Sequence, residues 1–587
     1  MFESEKRSIE TQILDFLTQH DIPAPNKLDW APIPFSGEWG ISTPLFKIAA
    51  QEARSGKRVS VPQRAQEIAE AAAKRIGTPV GFGRVEAVKG YLNLYFSTPE
   101  FSRRVVESVL SQGKKFGHGI PKGERVMVEY SQPNTHKPLH VGHLRNTILG
   151  SAICNIFEAA GYDVVRVNYP GDTGLHVIKW MWNYLNNHPG EQPGEDKIQW
   201  MGDIYTEANK LLEGNPELES EMRALFQGWE QKDPEVMSLW EKTRQWSLDG
   251  FDEVYGILGI DFDLYYFQSN VDEAGKKIVE ELIERGLAID ERPEGPVIVR
   301  IDDILGLKKE KYRVMVALRS DSTTLYSTWD LALATRKFAD FDLAKSIYVI
   351  DVRQSLHFQQ VFKTLEIMGY PWTDRLYHLP YEIVNLPGNV TMKSREGTIV
   401  RLEDFIREAT QRAREVVEEK NPTLTEAQKD NVAHAVALGA IKYPMLARDN
   451  TKIVTFDWES ALDFTGQAAP YIQYAHVRAN SILRKLDEPL PEPLIPQHNL
   501  EPSEVELIDL ISRIPGKIQR AAREYKPLQI TNAAHNLARA FSDFYNQCPV
   551  LSAEPQVRAF RLRLVAAARQ AIANLLALLG IPASDVM

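Results

Sequence analysis

The sequence predicts an α/β protein whose central segment folds as a parallel sheet, with an α+β segment before it and an all-helical segment after it. Three observations support this prediction. A strand, a helix and a second strand follow one another within about forty residues after Glu124, which is the size of a βαβ unit. The same alternation returns after Lys345. Beyond Glu403 the apolar residues recur only at helical spacing.

The elements of the parallel sheet are predicted in order along the chain. The first strand–helix–strand unit has strands at residues 125–130 and 163–168 and a helix at 140–160 that Gly161 ends. The second strand–helix–strand unit has strands at residues 346–350 and 376–384 and a helix at 353–368 that Gly369 ends. Residues from about 180 to 300 are polar, rich in Trp and mainly helical in periodicity, which predicts an insertion between the two halves of the sheet.

The flanking segments have their own patterns. Residues 90–96 alternate as a half-buried strand does, and the stretch 113–123 is rich in Gly and Lys and is predicted to be a linker. The last helix is predicted at 558–579, closed by Gly580 and Pro582. We therefore predict three domains, with boundaries at 1–118, 119–405 and 406–587.

Length and composition limit the class of protein. The chain has 587 residues, more than one hydrophobic core usually serves, and its 43% hydrophobic and 25% charged residues are normal for a globular protein. No apolar run is long enough to span a membrane, and the N-terminus has no secretion signal. Cys154 and Cys548 are too few for a thiolate zinc site or a disulfide framework. We expect a cytoplasmic protein with no structural zinc and no other metal site.

The formal net charge of −11 argues against a nucleic-acid partner, yet basic residues cluster locally. Two predicted helices have such runs, formed by Lys517, Arg520, Arg523 and Lys526 and by Arg558, Arg561, Arg563 and Arg569. A run of this kind is more often a solvated helix face than a binding surface. Composition alone therefore leaves an RNA partner open.

The first motif that points to chemistry is His140-Val-Gly-His143, at the start of a predicted helix. Two imidazoles three residues apart lie on one helical face, and Gly142 lets a flat group such as an adenine ring approach the backbone. The unpaired N–H groups of a helix N-terminus attract phosphate. These features favour a nucleotide site, although two ordinary histidines also give such a string by chance.

The surroundings of this motif resemble a known family. Residues 131–146 resemble the HIGH region of class I aminoacyl-tRNA synthetases and follow the first strand, as they do in that class. Residues 391–400, Thr-Met-Lys-Ser-Arg-Glu-Gly-Thr-Ile-Val, resemble the degenerate KMSKS loop of the arginyl-tRNA synthetase family. Further segments resemble this family at residues 168–174, 325–332, 350–358 and 469–475. The resemblance covers nearly the whole chain.

The resemblance implies a fold and a reaction. The fold would be a Rossmann-like catalytic domain with an N-terminal domain that contacts tRNA and a C-terminal helical domain that binds the anticodon. The enzyme would be an arginine–tRNA ligase that activates arginine with MgATP to arginyl-adenylate and transfers it to the 3′-terminal adenosine of the tRNA. Its partners would be tRNA, L-arginine and ATP, and we expect a monomer. Catalysis would be positional and electrostatic, without a covalent enzyme intermediate.

The matched motifs also imply a set of site residues. Those expected to act in catalysis are His140, His143, Lys137 and Lys393. Those expected to bind ATP are His140, Gly142, His143, Asp351, Met392, Lys393 and Ser394. Those expected to bind arginine are Ser131, Asn134, His143, Tyr326, Asp330 and Gln354. Those expected to bind tRNA are Tyr471, Tyr474 and Met587.

Asp330 is the residue expected to select arginine. A guanidinium is a planar fork that a carboxylate matches, and Tyr326 lies about one helical turn before Asp330. An aspartate near the start of an apolar helix is also a common helix cap, so that alternative stays open. Some family members have a second acid where this chain has Gln268. Either that acid is dispensable, or Asp252 or Glu253 replaces it, or the alignment is shifted.

The degenerate loop lacks a lysine at its fourth position. When the loop is aligned through Gly397-Thr-Ile-Val, Lys393 stands at its third position and Ser394 at its fourth. Shifting the alignment by one residue would place Lys393 at the fourth position but would break the match to Gly397-Thr-Ile-Val. A triphosphate still needs a cation, and Lys137, three residues before His140, is the candidate. The alternative is that Lys137 is a flexible surface residue.

Two other functions compete with this interpretation. Another class I enzyme such as the cysteinyl-tRNA synthetase would need more cysteines, and the insertion is short for a large editing domain. A tRNA-binding paralogue without catalytic activity would lack the HIGH histidines, and both are present.

Overall fold

The computed structural model describes residues 2–54, 60–139, 141–387, 390–391 and 401–587. The chain divides into two compact units. The first comprises residues 1–116, 478–514 and 536–572, and the second comprises residues 117–477, 515–535 and 573–587. Within the described ranges, no helix is long and apolar enough to cross a membrane.

The first unit begins with an antiparallel sheet and its helices. In chain order these are α1 Glu3–Gln19, β1 Ala31–Pro32, β2 Gly40–Pro44, α2 Phe46–Arg54, α3 Val61–Ile76, β3 Phe82–Val88, β4 Tyr91–Phe96 and α4 Thr98–Gln112. The strand order is β1-β2-β4-β3, and β4 confirms the strand predicted at 90–96. Buried polar contacts join this part to later segments of the same unit. The Trp39 indole donates to Asp509 at 3.0 Å, and Arg563 pairs with Glu107.

The second unit is built on the predicted parallel sheet. Its first βαβ unit consists of β5 Arg125–Glu129, α5 Val141–Ala159 and β6 Asp163–Asn168. The side chains of β5 are buried on both faces, as in a parallel sheet covered by helices. Helix α5 is buried nearly all round, which explains why its apolar residues show little one-sided pattern.

The region predicted as an insertion is largely helical but also contains strands. In chain order it contains α6 Leu175–Asn187, α7 Lys197–Leu212, α8 Pro216–Glu230, α9 Pro234–Leu258, β7 Leu264–Tyr265, α10 Asp272–Glu284, β8 Ile289–Asp290 and β9 Val297–Arg300, followed by α11 Ile301–Ile304, β10 Val314–Leu318 and α12 Tyr326–Asp340. Strand β7 pairs with β6 and so belongs to the parallel sheet, while β8, β9 and β10 form a separate antiparallel sheet. The tryptophans pack in a core of their own that includes Trp180 and Trp240.

The second βαβ unit closes the sheet. It consists of β11 Lys345–Asp351, α13 Ser355–Ile367 and β12 Leu376–Tyr381, and the order across the sheet is β12-β11-β5-β6-β7. The strand predicted at 376–384 was too long, because the chain leaves the sheet after Tyr381. Arg145, buried in α5, donates to the carbonyls of Glu382 and Ile383 at this turn. Residue 384 begins another strand, which belongs to a different sheet.

The remaining elements are mostly helices, as predicted. They are β13 Val384–Leu386, β14 Val390–Thr391, α14 Leu402–Lys420, α15 Glu426–Leu446, β15 Val454–Thr455, α16 Trp458–Ala461, α17 Ala469–Leu483, α18 Pro502–Glu524, α19 Leu528–Gln547 and α20 Pro555–Leu578. One of the two basic runs is no solvated face, because Arg561 and Arg563 are both buried. Arg561 pairs with Glu504 at 2.9 Å, so these charges stabilise the first unit from within.

Candidate active site

A cavity of about 740 Å³ opens at the carboxyl ends of the parallel strands. The lining residues that end or closely follow β5, β6, β11 and β12 are Glu129, Ser131, Tyr169, Gly171, Ile350, Asp351 and Tyr381. In an open parallel sheet, ligands bind where successive strands diverge in direction. Strands β5 and β11 are neighbours in this sheet. Strand β6, which follows β5 in the chain, lies on one side of the pair, and β12, which follows β11, lies on the other. The cavity therefore lies where the sheet topology provides a ligand site.

Half of the site residues predicted from the sequence come together in this cavity. Its lining includes Ser131, Asn134, Gly142, His143, Tyr326, Asp330, Asp351 and Gln354, together with Gln268. His140, Met392, Lys393 and Ser394 lie outside the described residues. Lys137, Tyr471, Tyr474 and Met587 are described but do not line the cavity.

The loop after β5 has a constrained backbone. Ser131, Gln132 and His136 have φ angles of 74°, 46° and 59°, a region that costs free energy for residues other than glycine. The Asn146 side chain accepts from the Ser131 N–H at 2.8 Å, which helps to hold this conformation. The His136 ring is fully buried and bonds Thr243 at 2.8 Å. The loop is thus fixed in the conformation that brings its polar residues to the cavity.

Gly171 allows this loop to approach β6. The Thr135 N–H donates to the Gly171 carbonyl at 2.9 Å, and the Gly171 N–H donates to the Pro133 carbonyl at 2.9 Å. A Cβ at residue 171 would lie 2.3 Å from Asn134 Oδ1, which is closer than any real contact. Glycine is therefore required here for Asn134 to reach the cavity.

Asp330 lies inside a helix and not at its cap. Helix α12 begins at Tyr326, so both residues project from its first turns into the cavity, and the cap alternative for Asp330 is excluded. One carboxylate oxygen of Asp330 bonds His357 Nε2 at 2.6 Å. Among the described residues the other oxygen has no hydrogen-bond partner. The Tyr326 ring is 62% exposed, so it is free to cover a ligand.

Glu129 and Tyr169 are lining groups that the sequence analysis did not single out. Glu129, the last residue of β5, pairs with Lys337 of α12, and both are buried. Burial lowers the pKa of Lys337, while the charge of Glu129 opposes that shift. Gln132 Nε2 also donates to Glu129 at 3.0 Å. This buried pair anchors α12 to the end of β5, directly beneath the cavity.

Tyr169 is the second such group. Its side chain is 5% exposed and lines the cavity, yet its hydroxyl has no hydrogen-bond partner among the described residues. Burial, followed by the charge of Asp330, raises its pKa well above the usual value, so the hydroxyl stays neutral. A buried hydroxyl without a partner is costly, which indicates that a bound ligand completes its hydrogen bonding.

The carboxylate of Asp351 is already engaged. It accepts from the Arg353 backbone N–H at 2.9 Å and from Arg353 Nε at 2.7 Å. Arg353 is also in the cavity lining, and its side chain is 66% exposed. Any ligand hydroxyl that bonds Asp351 therefore shares the carboxylate with a mobile guanidinium.

The position of Gln268 is fixed by the neighbouring turn. Asp172 is fully buried and accepts from the backbone and hydroxyl of Ser269 at 3.0 and 2.7 Å, and from Arg244 at 3.1 Å. Neither proposed substitute for a second acid reaches the cavity. Asp252 bonds Tyr265 at 2.8 Å, and Glu253 pairs with Lys197. The additional acid in the lining is Glu129.

Four predicted residues lie away from the lining, among them Lys137, Tyr471 and Tyr474. Lys137 is half-buried, with its ammonium 5.4 Å from the centre of the Tyr205 ring and no hydrogen bond or ion pair among the described residues. Tyr474 is 40% exposed on α17, whereas Tyr471 is half-buried with its ring 5.5 Å from that of His535. Within the described ranges no three His, Cys, Asp or Glu side chains group as metal ligands.

Comparison with known proteins places this geometry in a class. Residues 105–458 match the model of the family described as "tRNA synthetases class I (R), catalytic domain", and residues 472–587 match "DALR anticodon binding domain". A parallel sheet with a ligand cavity at its switch point, joined to this helical segment, defines a class I aminoacyl-tRNA synthetase.

Individual relatives narrow the class. The chain is 34% identical over 560 residues to the arginine–tRNA ligase of Clostridium perfringens, covering 95% of each, and 35% identical over 525 residues to that of Halothermothrix orenii, covering 89% of this chain and 90% of the relative. The solved structure of Thermus thermophilus arginyl-tRNA synthetase matches with a TM-score of 0.75 and 27% identity, over 99% of this chain and 100% of that one. The chain belongs to the arginyl-tRNA synthetase family. The fold class and the activity predicted from the sequence are confirmed: the protein activates arginine with ATP and transfers it to tRNA.

Proposed function

We propose that the cavity holds arginine with its guanidinium on Asp330. One carboxylate oxygen of Asp330 has no hydrogen-bond partner among the described residues, in a lining that also contains three tyrosines, and this observation supports the proposal most directly. A guanidinium has five donors in a planar fork, and a carboxylate beside neutral acceptors matches it. His357 holds the other oxygen of Asp330, which orients the carboxylate before the substrate arrives.

The remaining roles follow from the positions of the lining residues. The α-amino and carboxylate groups of arginine are assigned to Ser131, Asn134 and His143, and the guanidinium side to Tyr326, Asp330 and Gln354. The ATP adenosine and phosphates are assigned to His140, Gly142, His143, Asp351, Met392, Lys393 and Ser394, with Mg²⁺ accompanying the triphosphate. The hydroxyl of Ser131 is already bonded to Tyr255 at 2.7 Å and its N–H to Asn146 at 2.8 Å, so the assignment of Ser131 rests on its place in the lining.

In this arrangement the enzyme acts by positioning and by electrostatics. The arginine carboxylate attacks the α-phosphate, the bond to pyrophosphate breaks, and cations stabilise the charge that develops on the leaving group. Lys137 and Lys393 are assigned this task. The terminal adenosine of tRNA then accepts the arginyl group from the adenylate, which returns AMP.

The tRNA is proposed to contact the regions outside the cavity. Tyr471, Tyr474 and Met587 are assigned to the anticodon-binding segment 406–587, and residues 1–118 are assigned a further tRNA contact. We propose that the enzyme works as a monomer in the cytoplasm.

The variant Asp330→Asn tests the assignment. It keeps the shape and removes the charge, so the catalytic efficiency for arginine should fall by about 30-fold to 1000-fold, equivalent to about 2–4 kcal/mol. The Michaelis constant for ATP should change little, measured by ATP–pyrophosphate exchange in the presence of tRNA. Asp340→Asn, on the exposed end of the same helix, is the matched control. Unchanged arginine dependence in Asp330→Asn would place the guanidinium elsewhere.

A further inference from the structure

The active-site cavity has an exposed guanidinium in its lining. Within the described ranges the lining contains two arginines, Arg145 and Arg353, and no lysine. Arg145 is buried, and its guanidinium is already bonded to backbone carbonyls. The side chain of Arg353 is mostly exposed. A nucleotide brings several negative charges into the cavity, so Arg353 is the lining arginine whose guanidinium is available to bind a phosphate.

The Arg353 guanidinium is bonded to Asp351, at the end of β11. Its Nε and Nη2 atoms donate to the two carboxylate oxygens at 2.7 and 2.5 Å. Its third nitrogen, Nη1, has no hydrogen-bond partner among the described residues. An ion pair with an exposed partner contributes little to stability. The guanidinium can therefore leave Asp351 readily when a ligand competes for the carboxylate.

The position of the Asp351 carboxylate does not depend on this guanidinium. Asp351 is the N-cap of a short 3-10 helix, Val352–Gln354, and it accepts from the backbone N–H of Arg353 at 2.9 Å. An N-cap carboxylate is held by the backbone that follows it. When a ligand hydroxyl replaces the guanidinium, the carboxylate therefore keeps its place and only the arginine side chain moves.

A second pair in the same unit shows the same contact away from the cavity. Arg292 donates from Nε and Nη2 to the two oxygens of Asp290 at 2.8 and 2.6 Å, and its backbone N–H donates to Asp290 at 3.1 Å. The third nitrogen of Arg292, however, donates to Ser322 at 2.9 Å, and the pair does not line the cavity. Bonding to an aspartate two residues earlier is thus a property of the local sequence. What distinguishes Arg353 is its place in the lining and the absence of a partner for Nη1 in the described part of the chain.

We propose that Arg353 binds the α-phosphate of ATP, after the ribose of the same nucleotide has replaced its guanidinium on Asp351. The inference rests on the proposed assignment of the ATP adenosine to Asp351. A ribose hydroxyl donates to the carboxylate, and the released guanidinium donates to a phosphate oxygen. The α-phosphate is joined to that ribose, so it is the phosphate nearest to Asp351. There the guanidinium also stabilises the charge that develops on the α-phosphate when the substrate carboxylate attacks.

The test compares adenosine, AMP and MgATP, which differ in their phosphates. Each is titrated into the full-length enzyme, and its dissociation constant is measured by calorimetry. Arg353→Met removes the donors and should weaken the binding of AMP and ATP by about ten-fold or more, the usual effect of losing a hydrogen bond to a charged group. Adenosine should bind as before or more tightly, because it has no phosphate and the variant no longer covers Asp351. Arg353→Lys keeps the charge and should restore part of the affinity for AMP.

The matched control is Arg292→Met, which removes the same kind of pair outside the cavity. It should change none of the three dissociation constants by more than about two-fold. If Arg353→Met weakens all three ligands alike, Arg353 only maintains the shape of the site, and if it changes none of them, it binds no phosphate. Either result overturns the proposal. A loss for ATP without a loss for AMP also overturns it, because the contact would then be to the β- or γ-phosphate.

Asp351→Asn separates failure of this inference from failure of the proposed function. If this variant weakens adenosine, AMP and ATP alike, the ribose assignment holds, and the results for Arg353 decide the inference on their own. If it leaves adenosine binding unchanged, Asp351 does not bind the ribose, and the proposed assignment is wrong together with the exchange on Asp351. Thermal unfolding of each variant checks that the fold is intact.

Discussion

Replacing Glu403 with glutamine should make the protein more resistant to unfolding at alkaline pH and leave it nearly unchanged at acidic pH. Glu403 lies in the first turn of α14, and both of its carboxylate oxygens are buried without a hydrogen-bond partner among the described residues. Burial raises its pKa from 4.5 to about 7, and the charges of Asp196 and Asp404 add to the rise. The position therefore holds a proton that an ordinary glutamate would lose.

The direction of the effect follows from the two states. In the unfolded chain the carboxyl ionises near its usual value, whereas in the folded protein it keeps its proton until the pH reaches about 7. Between these values the folded state binds more protons, so the free energy of unfolding falls as the pH rises. Each unit of pKa difference is equivalent to about 1.4 kcal/mol. The free energy of unfolding therefore falls by about 3 kcal/mol as Glu403 ionises, and this fall is complete above neutral pH. Glutamine cannot ionise, so the variant should not lose this amount.

The assay measures the thermal unfolding of the parent protein and of Glu403→Gln between about pH 5 and pH 8.5. The quantity to follow is the difference in their stability at each pH. Subtracting one curve from the other removes the titration of all other groups. Glu408→Gln is the matched control, because Glu408 lies later in the same helix, is exposed and pairs with Arg412 at 2.7 Å. A stability difference between Glu403→Gln and the parent protein that stays constant across this range would refute the reasoning.

Three further predictions concern catalysis and tRNA. Lys137→Ala should slow single-turnover adenylate formation by about 10²–10³-fold with little change in the ATP Michaelis constant, and Lys393→Ala should slow it less. A nearly normal Lys137→Ala beside an inactive Lys393→Ala would show that Lys393 is the cation of the degenerate loop. Replacing Tyr474 or Tyr471 by alanine should raise the tRNA Michaelis constant for at least one of them, since stacking on an aromatic ring contributes about 1–3 kcal/mol. The exposed Tyr474 is the better candidate, and normal values for both would mean that α17 does not face the anticodon. ATP–pyrophosphate exchange should require tRNA, as the family resemblance implies, and strong exchange without tRNA would contradict that expectation.

Arg145 illustrates how the structure joins the parts of the active centre. It is 1% exposed in α5, two residues after His143, and its guanidinium donates to four backbone carbonyls, including those of Ile383 and Asn450 at 3.3 Å. Burial lowers its pKa to about 10, and its partners carry no formal charge in these contacts. The start of α5 is therefore bound directly to the turn after β12, although the two are more than two hundred residues apart in the chain.

Most of the elements could be predicted from local patterns. The bounds of β6 agree with those read from the sequence, and α5 and α13 begin and end within about two residues of the predicted positions. Glycine stops, helical periodicity and runs of β-branched residues act over a few neighbouring positions, so they are visible in the sequence itself. Strand β7 was missed because two residues give no pattern, and only pairing with β6 makes them a strand.

The residues of the candidate site also fall into those that local sequence could identify and those that it could not. The motif residues that line the cavity could be identified because each lies in a segment with a recognisable neighbourhood, such as the residues around Asn134 and Asp330. His357, Tyr169 and Glu129 could not be assigned from local sequence, because what distinguishes them is a partner or its absence in space. His357 bonds a residue 27 positions away, and Glu129 pairs with one 208 positions away.

The sequence by itself determined the α/β class, the family and the motif residues that line the cavity, since motifs and periodicity are properties of adjacent positions. The tertiary structure alone decided which charges are balanced. Arg563, in an apparently basic helix, is neutralised by Glu107, whereas Glu403, in an acidic turn, has no partner within the described part of the chain. Coulomb interaction and desolvation depend on distance through space and on exclusion of water, and neither is encoded in the spacing of residues along the chain.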